Sequence, residues 1–289
     1  MNLKLLICAL ACLVHYSTAD NVGRDIKISG GTPASLGDLP YQVFVGYNLG
    51  NGTYEFCGGG LINSEWILTA AHCFEVKKDV SKAFVILGSV SLNTRPVSVK
   101  TIITHPNYIS DAYNYYDIAL LQLSNPVKES ASIGFLNLPT FSSPAVGTLM
   151  WTAGWGLTQS GIKPTQLLKV QIPIVAQSIC VNAFSDGKYN ETYFLCIGDG
   201  KGKDTCQGDS GGAVVSKVNT TDTRWTVYGI TSYGPEGCGL QGNRGAYSRV
   251  FNYLDFIKSN AVTSASSTPH HCSKALIVVL IAFALLLNL

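Results

Sequence analysis

The stretch Asp204-Thr205-Cys206-Gln207-Gly208-Asp209-Ser210-Gly211-Gly212 sets a serine among glycines and directly behind an acid. Glycine lets a backbone turn sharply and approach a ligand closely, so N–H groups can crowd a reacting carbonyl while a hydroxyl attacks it. Ser210 is therefore a candidate nucleophile, although Gly208 to Gly212 read alone is also an ordinary loop composition. A hydroxyl needs a base. Of the five histidines, His15, His270 and His271 lie in the terminal segments, which leaves His72 and His105. His72 ends the apolar run Trp66 to Ala71 beside Cys73, which could tie it down. His105, before Pro106, reads as a structural residue at a strand end. An acid that orients a histidine works best in low dielectric. Asp117 fits, because it enters Tyr115-Tyr116-Asp117-Ile118-Ala119-Leu120-Leu121, where a lone carboxylate is costly without a partner. Taken by itself, it could equally be a solvent-facing acid at the start of a strand.

Such groups need a rigid scaffold. From Ile28 to about Asn260 the chain shows brief apolar runs parted by Gly, Pro, Asn and Ser. They are Tyr41–Tyr47, Gly60–Ile62, Trp66–Ala70, Ala83–Leu87, Val97–Ile103, Ile118–Leu123, Leu149–Ala153, Leu167–Val175, Ala213–Val215 and Trp225–Ile230. Short β-forming runs with frequent turn signals predict an all-β sandwich or barrel rather than βαβ units. One helix is predicted over Val250–Lys258, where Val250, Tyr253, Leu254 and Ile257 recur at helical spacing. No linker composition interrupts this span, which predicts one folding unit.

The 289 residues are 46% hydrophobic and only 13% charged, with a formal net charge of +2. That balance supports a large core and excludes the basic footprint of a nucleic-acid binder. Residues 1–19 carry Lys4, an apolar run from Leu5 to Val14, and small residues at Ser17 and Ala19, the pattern of a cleaved secretory signal. Secretion places the chain where disulfides persist, and it makes Asn51, Asn190 and Asn219 candidate glycosylation sites, each within an Asn-X-Thr sequon. At the other end, small residues from Thr263 to Thr268, a polar spacer through Lys274 and an apolar tail to Leu289 read as a glycolipid-anchor signal over 263–289, with attachment near Ser264. As a helix the tail would reach about 22 Å against a hydrocarbon core of about 30 Å, and no basic flank follows it. The lipid anchor is therefore favoured over a spanning tail, and the expected location is the cell surface or the extracellular space.

Ala70-Ala71-His72-Cys73, Asp117-Ile118-Ala119-Leu120 and Gly208-Asp209-Ser210-Gly211-Gly212, in the order His, Asp, Ser, strongly resemble the trypsin-like serine proteases from Ile28 to about Asn260. The resemblance implies a pair of six-stranded antiparallel β-barrels with a C-terminal helix and a site in the cleft between the barrels. It implies a protease domain over 28–262 that acts on protein or peptide substrates and needs no cofactor or metal. Ser210 would attack, His72 would shuttle the proton, Asp117 would orient the imidazole, and the N–H groups of Gly208 and Ser210 would hold the oxyanion. Asp204 matches the base of the primary specificity pocket, with Gly234 and Gly245 as its open walls and Ser232-Tyr233-Gly234 as the segment that pairs with substrate backbone. A preference for Lys or Arg before the cut follows.

Lys27 before Ile28-Ser29-Gly30-Gly31 resembles a zymogen junction, with 20–27 as the propeptide and the freed Ile28 ammonium pairing with Asp209. The activator would be another trypsin-like protease or the enzyme itself, and protein inhibitors are expected partners. The cysteines of the domain permit many pairings. The family pattern implies Cys57 with Cys73, Cys180 with Cys196, and Cys206 with Cys238, while Cys8, Cys12 and Cys272 would leave with the two end segments.

The chain departs from that pattern at Ser29, usually Val, and at Arg244, usually Pro or Tyr. Met150 and Ser216 stand where many relatives place a further disulfide. The absence of Asp and Glu between Asp79 and Asp111 argues against a calcium loop. The rival reading, an inactive relative serving as an extracellular binding module, predicts a lost triad member, and all three residue types are present.

Overall fold

The computed structural model describes residues 30–261, apart from 78, 111–113, 159, 185–186, 188, 220 and 236. Lys27, Ile28, Ser29, Ser264 and the two end segments lie outside the described residues.

Six strands form the first barrel: β2 (Gln42–Gly50), β3 (Thr53–Leu61), β4 (Trp66–Thr69), β5 (Ala83–Leu87), β6 (Val97–Thr104) and β7 (Ala119–Leu123). The barrel closes in the order β2-β3-β4-β7-β6-β5 with every pairing antiparallel. Val43, Val45, Leu61, Ile67, Val85 and Leu121 lie on its inner face, Leu68 and Leu120 lie on the opposite face, and all are at most 2% exposed. These β-branched and leucine side chains hold the barrel together by burial, each worth about 1.5–3 kcal/mol.

The second sheet runs β1 (Thr32–Pro33), β9 (Leu168–Pro173), β8 (Leu149–Gly154), β11 (Ala213–Ser216), β12 (Thr226–Tyr233), β13 (Gly245–Arg249), β10 (Phe194–Ile197). Six of these are the second barrel's strands, and the bridge between Ile174 and Ile197 joins its two ends. The seventh, β1, is a two-residue addition that pairs Thr32 with Lys169 outside that ring. A separate apolar cluster including Met150, Ile172, Leu195, Val214 and Tyr247 forms its core.

Four strands escape the apolar-run reading wholly or in large part: β1, β3, β10 and β13. β10 is an apolar run of four residues, Phe-Leu-Cys-Ile, that falls outside the runs read from the sequence, whereas β13 reads Gly-Ala-Tyr-Ser-Arg and advertises no apolar run; both are wholly buried. Most of β3 was also missed, because it carries Gly58, Gly59 and Gly60. At Gly58 the reason for glycine is contact: a Cβ there would lie 2.9 Å from the Cα of Gly212 in the Ser210 loop. The C-terminal element starts as a 3-10 turn over Val250–Tyr253 and continues as an α-helix over Leu254–Asn260, with Val250, Tyr253 and Ile257 buried. A second short helix, Gln177–Ala183, carries Cys180. Among the described residues no helix is long and apolar enough to cross a membrane.

The disulfides are Cys57–Cys73, Cys180–Cys196 and Cys206–Cys238. The first ties β3 to the His72 turn and the third ties the Ser210 loop to the segment before β13. Loops of this size contribute on the order of 3 kcal/mol each through the unfolded state.

Candidate active site

Strand register brings the first two groups together. Thr69 at the end of β4 pairs with Ala119 at the start of β7, so the chain leaving β4 runs beside the chain entering β7. His72 opens a 3-10 turn just past β4. Asp117 follows Tyr116, whose φ of 60° and carbonyl, accepting from Ile118 N at 2.8 Å, bend the chain sharply. A tyrosine in the left-handed region is strained, and here the bend turns the next side chain inward, where Asp117 is 0% exposed.

The Asp117 carboxylate accepts the His72 main-chain N–H at 2.9 Å and pairs with His72 Nδ1 at 2.8 Å. Ser232 Oγ donates a short bond to the same Oδ2, and Ser248 Oγ donates to the Asp117 carbonyl at 2.7 Å. Burial opposes the charge on both partners, and their mutual attraction outweighs it: His72 sits above its ordinary range and Asp117 below. A proton on Nδ1 facing the carboxylate leaves Nε2 as the free basic atom. Ser232 and Ser248, from β12 and β13, were not predicted as partners of the acid, because only the packing of the second barrel against the first brings them there.

The Ser210 loop is anchored to both barrels. Gly58 N donates to Ser210 O at 2.7 Å, Gly211 N donates to Thr231 O at 2.8 Å, and Thr231 N donates to Gly212 O at 2.9 Å. Asp209 N and Gly212 N bond within the loop. Among the described residues the N–H groups of Gly208 and Ser210 have no such partner, so two donors are left free side by side with the serine. Gly208 has φ 94°, and a Cβ there would run into Phe56 Cε2.

Asp209 points away from Ser210 into the second barrel, 1% exposed, accepting from Gly156 N and Cys206 N, both at 2.9 Å. A Cβ on Gly154 or Gly156 would meet its carboxylate. Burial pushes its pKa up to about 7, and among the described residues no cationic side chain pairs with it. Asp204 is 7% exposed and accepts from Gly239 N at 3.4 Å, with burial raising it to about 6. Gly234 and Gly245 stand together: a Cβ on Gly234 would lie 3.9 Å from Gly245 Cα. Arg244 turns back on its own loop, with Nη1 donating to Gly242 O and Asn243 O at 2.9 Å, and lies against Gly200.

Ser210, His72 and Gly208 line one cleft of about 440 Å³, walled by the Cys57–Cys73 disulfide, Tyr47, Tyr54, Phe56 and Phe74. His72 Nε2 and the two sulfurs lie close enough to suggest a metal cluster, but the sulfurs are bonded to one another and offer no thiolate. His105 lies outside the cleft, stacked on Tyr116 at 4.9 Å and packed against Tyr253 and Phe256 of the C-terminal element. Of the sequons, Asn51 is exposed at the β2–β3 turn and Asn219 is exposed, while Asn190 is half-buried with its Oδ1 accepting from Thr192 N at 2.9 Å.

Residues 28–257 match the family described as Trypsin. The chain is 38% identical to the tryptase of Mus musculus over 88% of its length and 97% of the relative's. It is 36% identical to serine protease 1 of Rattus norvegicus, covering 89% of the chain and 98% of the relative. It is 31% identical to CLIP domain-containing serine protease B4 of Anopheles gambiae, over 81% and 70%. With the family match running through both barrels and the cleft between them, the chain belongs to the trypsin family of serine endopeptidases.

Proposed function

We propose that this protein is a secreted or glycolipid-anchored endopeptidase that cuts proteins after Lys or Arg by a His72, Asp117 and Ser210 triad. The observation that carries the triad is the buried Asp117 carboxylate holding His72 from two sides in the same cleft as Ser210. The Ser210 hydroxyl oxygen bonds to the scissile carbonyl carbon while His72 Nε2 takes its proton. The oxygen of the tetrahedral intermediate takes up the negative charge, facing the free N–H groups of Gly208 and Ser210. His72 then gives the proton to the leaving nitrogen as the C–N bond breaks. Water repeats the sequence on the acyl-enzyme and returns Ser210 to the hydroxyl.

Asp204 supports the Lys or Arg preference, because a mostly buried carboxylate held by the main-chain N–H groups of Gly239 and Thr205, and by no ion pair among the described residues, can take a cationic partner. Activation by a cut after Lys27 gives Asp209 its missing cation, the Ile28 ammonium. The wider organisation is a signal peptide over 1–19, a propeptide over 20–27, a protease domain over 28–262 and an anchor signal over 263–289 with attachment at Ser264.

The test is a cleavage profile of the activated full chain against a peptide library, with Asp204→Ser beside it. The reading requires Lys or Arg before the cut, with kcat/KM on those substrates falling on the order of 10³-fold in Asp204→Ser. Labelling by a serine-directed phosphonate should vanish in Ser210→Ala. An activated chain that binds no phosphonate and cuts nothing would be the inactive binding module instead.

A further inference from the structure

Asp204, Gly234 and Gly245 do not line the cleft that holds Ser210 and His72. That cleft extends the other way, along the first barrel past the Cys57–Cys73 disulfide to Tyr47, Tyr54, Phe56 and Phe74. If the residue before the cut occupies the Asp204 side, as the proposed function holds, this arm receives the chain on the leaving side of the bond.

The charges along the arm are unequal in their freedom. Glu55 and Lys77 form an ion pair with each other, and Lys77 Nζ also donates to Cys73 O at 2.7 Å. Their fields largely cancel. Lys163 has no carboxylate partner among the described residues, and its ammonium stands 3.7 Å from the centre of the Phe56 ring and 5.7 Å from that of Phe44. The segment from Trp155 to Leu167 that carries it holds no Asp or Glu. Phe56 lines the arm and abuts Gly208, so an uncompensated cation sits one ring away from the leaving side of the scissile bond. Ring stacking holds the ammonium in place, while its partial burial lowers its pKa and leaves the charge incompletely hydrated.

We propose that Lys163 selects substrates carrying an acidic side chain in the first or second position after the cut. The arm is apolar and its other charges are paired, so a substrate carboxylate there meets one unmatched positive charge at a distance that physiological salt screens only in part. An exposed pair of this kind is worth about a three- to fivefold gain in kcat/KM. The same rule disfavours self-activation, because the junction after Lys27 presents Ile28-Ser29-Gly30-Gly31 with no acid.

The experiment uses the activated protein and quenched peptides with Lys before the cut, differing only by Asp or Asn at each of the two following positions. A Lys-aminomethylcoumarin substrate, with no residue on the leaving side, gives the reference rate for every variant. The Asp-to-Asn ratio should be about three to five in the wild type, near unity in Lys163→Gln, restored in Lys163→Arg, and reduced in about 0.5 M salt. A ratio that Lys163→Gln leaves unchanged, or a wild type without preference, overturns the assignment. A wild type inactive on the coumarin reference instead overturns the proteolytic reading, and this inference with it.

Discussion

Asp117 grips His72 twice, accepting its main-chain N–H through one carboxylate oxygen and facing ring Nδ1 through the other, at 2.9 and 2.8 Å. The two contacts fix the backbone and the ring together, so the imidazole has one orientation and one tautomer available. Because Asp117 is fully buried, this constraint acts in a low dielectric where it is strongest.

Asp117→Asn removes the charge that holds His72 above its ordinary pKa, while burial, which works the other way, stays. The acid limb of kcat/KM reports the unprotonated imidazole and should lie above the ordinary histidine value near 6.5 in the wild type, moving down in the variant. Turnover should fall on the order of 10⁴-fold, the magnitude of the serine-protease template itself. A pH–rate series on both proteins checks the shift. An acid limb that stays in place would mean the carboxylate charge is not what raises His72.

Ser232→Ala deletes the hydroxyl that donates to the Asp117 oxygen facing Nδ1. The acid keeps both His72 contacts, so the loss should be about tenfold in kcat, with KM nearly unchanged. Threonine at this position should recover most of the rate. Equal losses in kcat for alanine and threonine would assign Ser232 a packing role alone.

Gly208→Ala places a Cβ against Phe56 on a backbone with φ 94°, where an L side chain is strained. The N–H it carries should leave its position beside Ser210, costing about 10²- to 10³-fold in kcat. Melting temperature and phosphonate titration on the same sample separate a displaced loop from an unfolded one.

Asp209 has its pKa raised to about 7 by burial, against an ordinary value of 3.8. A raised folded-state pKa means that the uncharged form is favoured in the folded chain. Its contribution to stability is complete below about pH 4 and is lost as pH rises through about 7. In the uncut Ser210→Ala chain, stability should therefore decline across this interval, and Asp204, raised to about 6, adds to the decline. Asp209→Asn should flatten the upper part of that curve. Cutting after Lys27 should do the same if the Ile28 ammonium pairs with the ionised carboxylate. Urea titrations at several pH values on the three proteins decide it, and parallel curves would count against the pairing.

Apolar periodicity located β4, β5, β7 and most of β6, β8, β9 and β12, because their residues alternate or run apolar in line with their burial. It missed β1, β10, β13 and most of β3. β13 is buried through pairing with β10 and β12 on both sides, which places Ser248 and Arg249 in the interior without an apolar signal. β3 owes its glycines to contacts with partners distant in sequence, and no local pattern reports those. His72, Asp117 and Ser210 could be named from motif and neighbourhood, whereas Ser248, Phe56 and Lys163 could not, since their relevance lies in what packs beside them.

Residue types and order by themselves carried the family resemblance and the candidate triad, because these are properties of short motifs at set positions, and the candidate specificity acid and the expected disulfide pairs followed only from that resemblance. Only the tertiary structure decided which hydroxyls hold Asp117 and, among the described residues, which N–H groups stay free beside Ser210 and that Lys163 stands on Phe56 without a carboxylate partner. The reason is physical. Hydrogen-bond satisfaction and charge compensation depend on distances of a few ångströms between residues far apart in the chain, which two barrels set when they close against one another.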